Sequence, residues 1–125
     1  MDRICFAVNG VKYSVGCEVD STTSLLDYLR SSLHLFGTKY MCREAGCGAC
    51  IVSVQRPGTP HSAVNACMVS VTSCQNWEIT TIESLGDQAK GYHKLQTQLA
   101  KDNGSQCGYC STSWIMTMYR LVSDE

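Results

Sequence analysis

The sequence predicts an α+β chain that is β-rich to about residue 85 and helical after it. Three observations carry that expectation. Two alternating five-residue runs flank Asn9-Gly10, turn residues punctuate further β-type runs up to residue 82, and helical periodicity takes over after about Gly86.

Ile4–Val8 and Val11–Val15 read as a hairpin, because Asn-Gly supplies the two positive-φ positions of a type I′ turn. Ser24, with Asp27 three residues on, is a capping-box start, and Leu25, Leu26, Leu29 and Leu33 share one helical face. Gly37 and Thr38 are expected to end that helix. Residues 51–54 form a short strand closed by the Pro57-Gly58 and Pro60 loop. Residues 68–72 and 77–82 are two more β-type runs. Residues 92–101 read as a helix with Leu95 and Leu99 on one side, stopped by Asn103-Gly104. A last helix carries Trp114, Ile115, Met118, Leu121 and Val122 as its apolar stripe, with Ser111 as N-cap. The organisation is therefore 1–85 and 86–125. A two-helix hairpin buries only one seam, so this one is expected to dock on the β-rich part, a second copy or a larger partner.

The 125 residues suit one compact domain or two small ones, and 44% hydrophobic with 17% charged residues is a globular balance. A net charge of −1 gives no reason to expect nucleic acid or an anionic membrane as partner. Residues 1–5 lack the apolar run of a signal peptide, and no stretch reaches membrane-spanning length, which points to the cytoplasm.

Cysteine is the outlier, at positions 5, 17, 42, 47, 50, 67, 74, 107 and 110. An odd count without a secretion signal argues for metal or redox work rather than a disulfide framework. Cys42-x4-Cys47-x2-Cys50, with Cys67 as a fourth, is the plant-type [2Fe–2S] spacing. Two bridged irons need four soft thiolates in a small volume, three from a tight loop and one from a separate strand. Gly46 and Gly48 let the loop turn its amides toward the sulfurs, where they stabilise the charge of the reduced cluster. Tetrahedral zinc is the competing reading, though zinc sites more often pair two Cys-x2-Cys knuckles.

Several further stretches carry a family resemblance: Leu25-Leu26-Asp27-Tyr28-Leu29-Arg30, Gly37-Thr38-Lys39, Cys42 through Cys50, Asn65-Ala66-Cys67, Thr80-Thr81-Ile82-Glu83 and Gln106-Cys107-Gly108-Tyr109-Cys110. Together they resemble the N-terminal segment of the molybdenum hydroxylases, the xanthine dehydrogenases and aldehyde oxidases. Gly37-Thr38-Lys39-Tyr40-Met41-Cys42 looks nearer to the aldehyde oxidase branch. The resemblance implies a β-grasp ferredoxin-like domain with one [2Fe–2S] cluster, then a four-helix bundle of which residues 86–125 would be half. It implies Cys42, Cys47, Cys50 and Cys67 as ligands of the cluster nearer the flavin. Cys107 and Cys110 would be two ligands of a second cluster, and Gln106 would approach the pterin. Electrons would run from molybdenum through both clusters to the flavin.

The sequence stops at Glu125, ahead of the family's Cys-x-Cys, and Cys110-Ser111-Thr112-Ser113 stands where the family has Cys-Thr-Pro-Gly. Cys107 and Cys110 thus have four readings: a half-site completed by a further segment, one completed by a second copy of the chain, a redox dithiol, or two packed small residues. Cys5, Cys17 and Cys74 are expected to be buried. His34, His61 and His93 pair with nothing in the sequence, Met116 and Met118 read as helix packing, and Lys90, Lys94 and Lys101 as a solvated face. The function these readings imply is one-electron transfer between redox partners, without hydroxylase activity in this chain alone. The alternative is a non-catalytic iron–sulfur sensing or interaction module, as a dimer sharing a second cluster.

Overall fold

The structure is a computed structural model that describes residues 2–123. Strands β1 (Ile4–Val8), β2 (Val11–Val15), β3 (Ile51–Gln55), β4 (Ser62–Asn65) and β5 (Glu78–Thr80) form one mixed sheet in the order β2-β1-β5-β3-β4. Helices α1 (Leu25–Asp27), α2 (Lys94–Lys101) and α3 (Ser111–Val122) complete the α+β arrangement.

The hairpin forms where the turn chemistry places it: Asn9 and Gly10 take φ of 53° and 81°, and Ile4 pairs with Val15 through to Val8 with Val11. β1 then pairs in parallel with β5, while β3 runs antiparallel to both β5 and β4. Phe6, Val8, Val15, Val52, Val54 and Ile79 share the core with Leu25, Leu26 and Leu29, each leucine fully buried. Burying one such leucine stabilises the fold by about 1.5–3 kcal/mol relative to exposure. Ser24 caps α1 as expected, its hydroxyl accepting from Asp27 N at 3.1 Å.

Several boundaries differ from the sequence reading. After Asp27 the chain widens into a π-helical turn, Tyr28–Ser32, and Leu33 N bonds to Tyr28 O at 3.1 Å. The helix ends at Leu33, because His34 takes φ of 55°, so Gly37 and Thr38 lie beyond it. The expected strand over 68–72 is instead two 3-10 turns, Ala66–Met68 and Val71–Ser73, with only a Ser24–Ser70 bridge between them. Ser70 explains this: its carbonyl accepts from Ser73 N at 3.0 Å and Ser73 Oγ at 2.7 Å, curling the backbone locally. β4 is an additional strand.

The C-terminal hairpin docks on the sheet. β3 is buried on both faces, with Val52 and Val54 toward the core and Ser53 on the side where α3 crosses β3 and β4. α3 buries Ser113, Ile115 and Met116 but exposes Trp114, Leu121 and Val122, so the expected stripe is only partly the buried one. Trp114 is 55% exposed, so its ring lies largely outside the packed face. Cys110, not Ser111, is the N-cap of α3. α2 begins at Lys94, and His93 is its cap: Nδ1 accepts from Leu95 N at 3.2 Å, and His93 N donates to Gln96 Oε1 at 2.8 Å.

Of the three isolated cysteines only Cys74 is buried, while Cys5 and Cys17 are exposed. Cys5 lies on the outer face of β1, alternating with buried Phe6, and Cys17 lies in the turn after β2. Burial pushes the Cys74 thiol up to about 12, and it donates to Ser70 O at 3.6 Å. Alkylation at pH 8 followed by peptide mapping should therefore label Cys5 and Cys17 at once and Cys74 only when the chain unfolds. Fast labelling of Cys74 in native buffer would contradict this placement.

Candidate metal centre

Residues 37–50 carry the cysteine loop from the π turn to β3, and contacts at both ends hold it. Gly37 N donates to Glu83 Oε1 at 2.7 Å, and Glu83 Oε2 accepts from the Thr81 hydroxyl. Thr81 in turn is held by Asn9, whose Oδ1 accepts from Thr81 N at 2.9 Å and whose Nδ2 donates to Thr81 Oγ1 at 2.8 Å. The hairpin turn, the end of β5 and the start of the cysteine loop thus share one hydrogen-bond chain. Arg30 donates to Phe36 O and Thr38 O, each at 2.9 Å. The Tyr40 ring has Arg30 at 4.9 Å and Arg43 at 4.4 Å from its centroid, and Arg43 pairs with Asp27 at 2.6 Å.

Within the loop Arg43, Ala45 and Gly48 take φ of 57°, 63° and 71°. Gly46 does not need the left-handed region, and a Cβ there would meet only Cys42 Sγ, at an ordinary contact distance of 3.9 Å. The left-handed turns point successive amides inward. Cys42 Sγ accepts from Cys47 N at 3.3 Å and Glu44 N at 3.4 Å, and Cys47 Sγ accepts from Ala49 N at 3.4 Å.

Cys50 and Cys67 meet through the β3–β4 ladder. Ile51 pairs with Asn65, and Ala66 N donates to Cys50 O at 3.2 Å, which brings the Cys67 side chain into hydrogen-bonding reach of Cys50. The Cys50 thiol also donates to Asn65 Oδ1 at 3.8 Å. The four thiols therefore stand as two pairs, Cys42 with Cys47 and Cys50 with Cys67, and Cys47 acts electrostatically on Cys50 across the gap. Among the described residues no three His, Cys, Asp or Glu side chains converge as on a single ion. Two dithiol pairs side by side, with amides aimed at the sulfurs, suit a dinuclear iron–sulfur unit, in which each iron takes two protein thiolates.

The electrostatics grade from rim to core. Cys47 is exposed, and the amides of Cys42 and Ala49, then the Cys42 thiol, lower it to about 7. Cys50 is buried, and burial first, then the Cys67 thiol, raises it to about 11. Cys42 and Cys67 lie between these extremes of exposure. One edge of the site thus faces solvent while the other is sealed by the core.

Cys107 and Cys110 are exposed in the turn that leads into α3, with Gly108 between them at φ 83°. Gln106 precedes them and is exposed as well. They do not join the four-cysteine group directly. The connection runs through Tyr109, whose hydroxyl donates to Tyr40 O and accepts from Tyr40 N at 3.3 Å. Sequence reasoning missed this contact, the Glu83 link to Gly37, and Asn65 beside Cys50. All three are long-range meetings, and only Asn65, two residues before a candidate ligand, carries a local signal.

Two family models match the chain: a 2Fe-2S iron-sulfur cluster binding domain over residues 6–100 and a [2Fe-2S] binding domain over residues 81–125. Aldehyde oxidase 4 of Cavia porcellus is 42% identical over 99% of this chain and 10% of its own length. Xanthine dehydrogenase of Calliphora vicina is also 42% identical, over 95% of this chain and 9% of its own length. The chain spans about a tenth of the length of the curated relatives it matches, and these two do not separate the branches. Among solved structures, the aldehyde oxidoreductase of Desulfovibrio desulfuricans superposes with a TM-score of 0.86 at 28% identity, over 100% of this chain and 13% of that one.

Proposed function

This chain belongs to the [2Fe–2S] cluster binding domain family, in the form found in the iron–sulfur region of the molybdenum hydroxylases, and from that premise we propose that it passes single electrons through a cluster held by Cys42, Cys47, Cys50 and Cys67. The observation that carries the reading is the pairing of these four thiols at one edge of the sheet, with amides of Glu44, Cys47 and Ala49 directed at the sulfurs. When bound, the cluster supplies a one-electron donor and acceptor.

The chain's own residues do the rest. The inward amides offset the negative charge that arrives with the electron. Buried Cys50 and Ala66 keep water from the inner edge, and exposed Cys47 leaves the outer edge open to a redox partner. The flavin and molybdenum domains implied by the family resemblance are the partners this reading favours, with the cytoplasm as its compartment. A second [2Fe–2S] cluster on Cys107 and Cys110, completed by another segment or another copy, is favoured by the model matching residues 81–125 and by exposed Trp114 and Leu121 on α3.

Iron content after anaerobic purification tests this. About two irons per chain, with an absorbance that bleaches on uptake of one electron, is the expected result for the Cys42 site alone. About three would place a further cluster between two chains. A colourless protein holding zinc in place of iron would overturn the electron-transfer reading.

A further inference from the structure

Asn9-Gly10, Gly37-Thr38-Lys39 and Thr80-Thr81-Ile82-Glu83 contain no cysteine, yet the fold brings all three together where the parallel strands β1 and β5 both end. The turn itself does not ask for asparagine, since glycine serves as well at φ 53°. The Asn9 carboxamide goes to Thr81 instead, Oδ1 accepting from its N–H at 2.9 Å and Nδ2 donating to its hydroxyl at 2.8 Å. That donation directs the hydroxyl proton to Glu83, whose Oε2 accepts it and whose Oε1 accepts the Gly37 N–H at 2.7 Å. Every link thus has one direction, and hydrogen bonds aligned in a chain strengthen one another. Thr81 is fully buried, so water has no access to a link lost there. Beyond Gly37, Thr38 is 1% exposed and its carbonyl accepts from Arg30 at 2.9 Å, so the approach to Cys42 starts from a fixed point.

We propose that Asn9 is a remote positioning residue for the cysteine loop: through Thr81 and Glu83 it holds the loop entry at Gly37, and so couples the hairpin turn to retention of the cluster. The inference rests on the reading that the Cys42 loop holds a [2Fe–2S] cluster. Coupling of this kind is reciprocal. The latch that slows loss of the cluster is itself tightened when the cluster is in place.

Asn9→Gly keeps a turn-forming residue and removes the carboxamide. In the reconstituted chain, release of iron to EDTA, followed by loss of visible absorbance, should be about tenfold faster than in the parent. Asn103→Gly makes the same change at another left-handed asparagine, φ 52°, just past α2, and should release at the parent rate. Thr81→Val cuts the same chain at its middle, so the double variant with Asn9→Gly should release about as fast as the faster single. Independent effects would instead multiply, to about a hundredfold. In the parent, loading the cluster should slow amide exchange over residues 79–83 about tenfold, a measurement that needs no variant. The parent release rate in Asn9→Gly, an equal acceleration in Asn103→Gly, multiplied effects in the double variant, or exchange that ignores loading overturns this inference alone. A parent chain that assembles no iron–sulfur cluster overturns it together with the reading beneath it.

Discussion

Cys67→Ala should abolish the visible absorbance of the reconstituted chain and strip its iron, while the backbone signal in the far ultraviolet stays close to that of the apo-protein. Cys67 is partly exposed and lies just past β4, so truncating it opens little core. What it removes is the thiol paired with Cys50, the fourth ligand proposed for the cluster. Changes to groups that merely support a metal ligand already cost about 10–100-fold in affinity, so loss of a ligand thiolate is a larger effect. The exposed Cys17, changed to alanine in parallel, should leave iron content and spectrum as they were. A Cys67→Ala chain with full iron and an unaltered spectrum would remove Cys67 from the ligand set and reopen the choice of cluster type.

The second large effect is expected at Gly37. A Cβ there would lie 2.3 Å from Ile82 Cγ2, 2.6 Å from Glu83 Oε1 and 2.9 Å from Glu83 Cδ. The same carboxylate accepts the Gly37 N–H and the Thr81 hydroxyl, so Glu83 cannot swing aside without breaking both. Overpacking with the loss of a charge-assisted hydrogen bond should destabilise Gly37→Ala by about 2–4 kcal/mol. Urea denaturation of the apo-chain reads this directly. Because Gly37 opens the cysteine loop, the variant should also load its cluster more slowly. Equal stability of the parent and Gly37→Ala would mean that the loop is not held by Glu83.

Much of the site was legible because its chemistry is local. Asn9-Gly10 carries its turn in two residues, and Cys42, Cys47 and Cys50 carry their loop in nine consecutive positions. β4 was not legible: Ser62-Ala63-Val64-Asn65 is short and half polar, and becomes a strand through its ladder to β3. The same ladder sets Cys67 against Cys50, so the fourth cysteine could be picked from spacing, but not the means by which it arrives. The stripe on α3 misled because periodicity marks which residues share a face, not which face the sheet accepts. α3 buries Ser113, Ile115 and Met116 where it crosses the sheet and leaves Trp114 outside. Cys5 and Cys17 misled for a simpler reason: cysteine's average preference for burial says little about a strand's outer face or a surface turn.

The strand order has a consequence in time. Cys50 and Cys67 are joined by a hairpin of neighbouring strands, and Cys42, Cys47 and Cys50 by a single loop, so the four-cysteine group closes over short stretches of chain. β1 reaches the rest of the sheet only through β5, with Ala7 beside Glu78 and Val8 beside Ile79, across most of the intervening sequence. Short closures are fast and long parallel ones slow. The middle of the chain can therefore gather its thiols before the two ends of the sheet have met, and closing the β1–β5 seam is the step that then locks the finished loop in place.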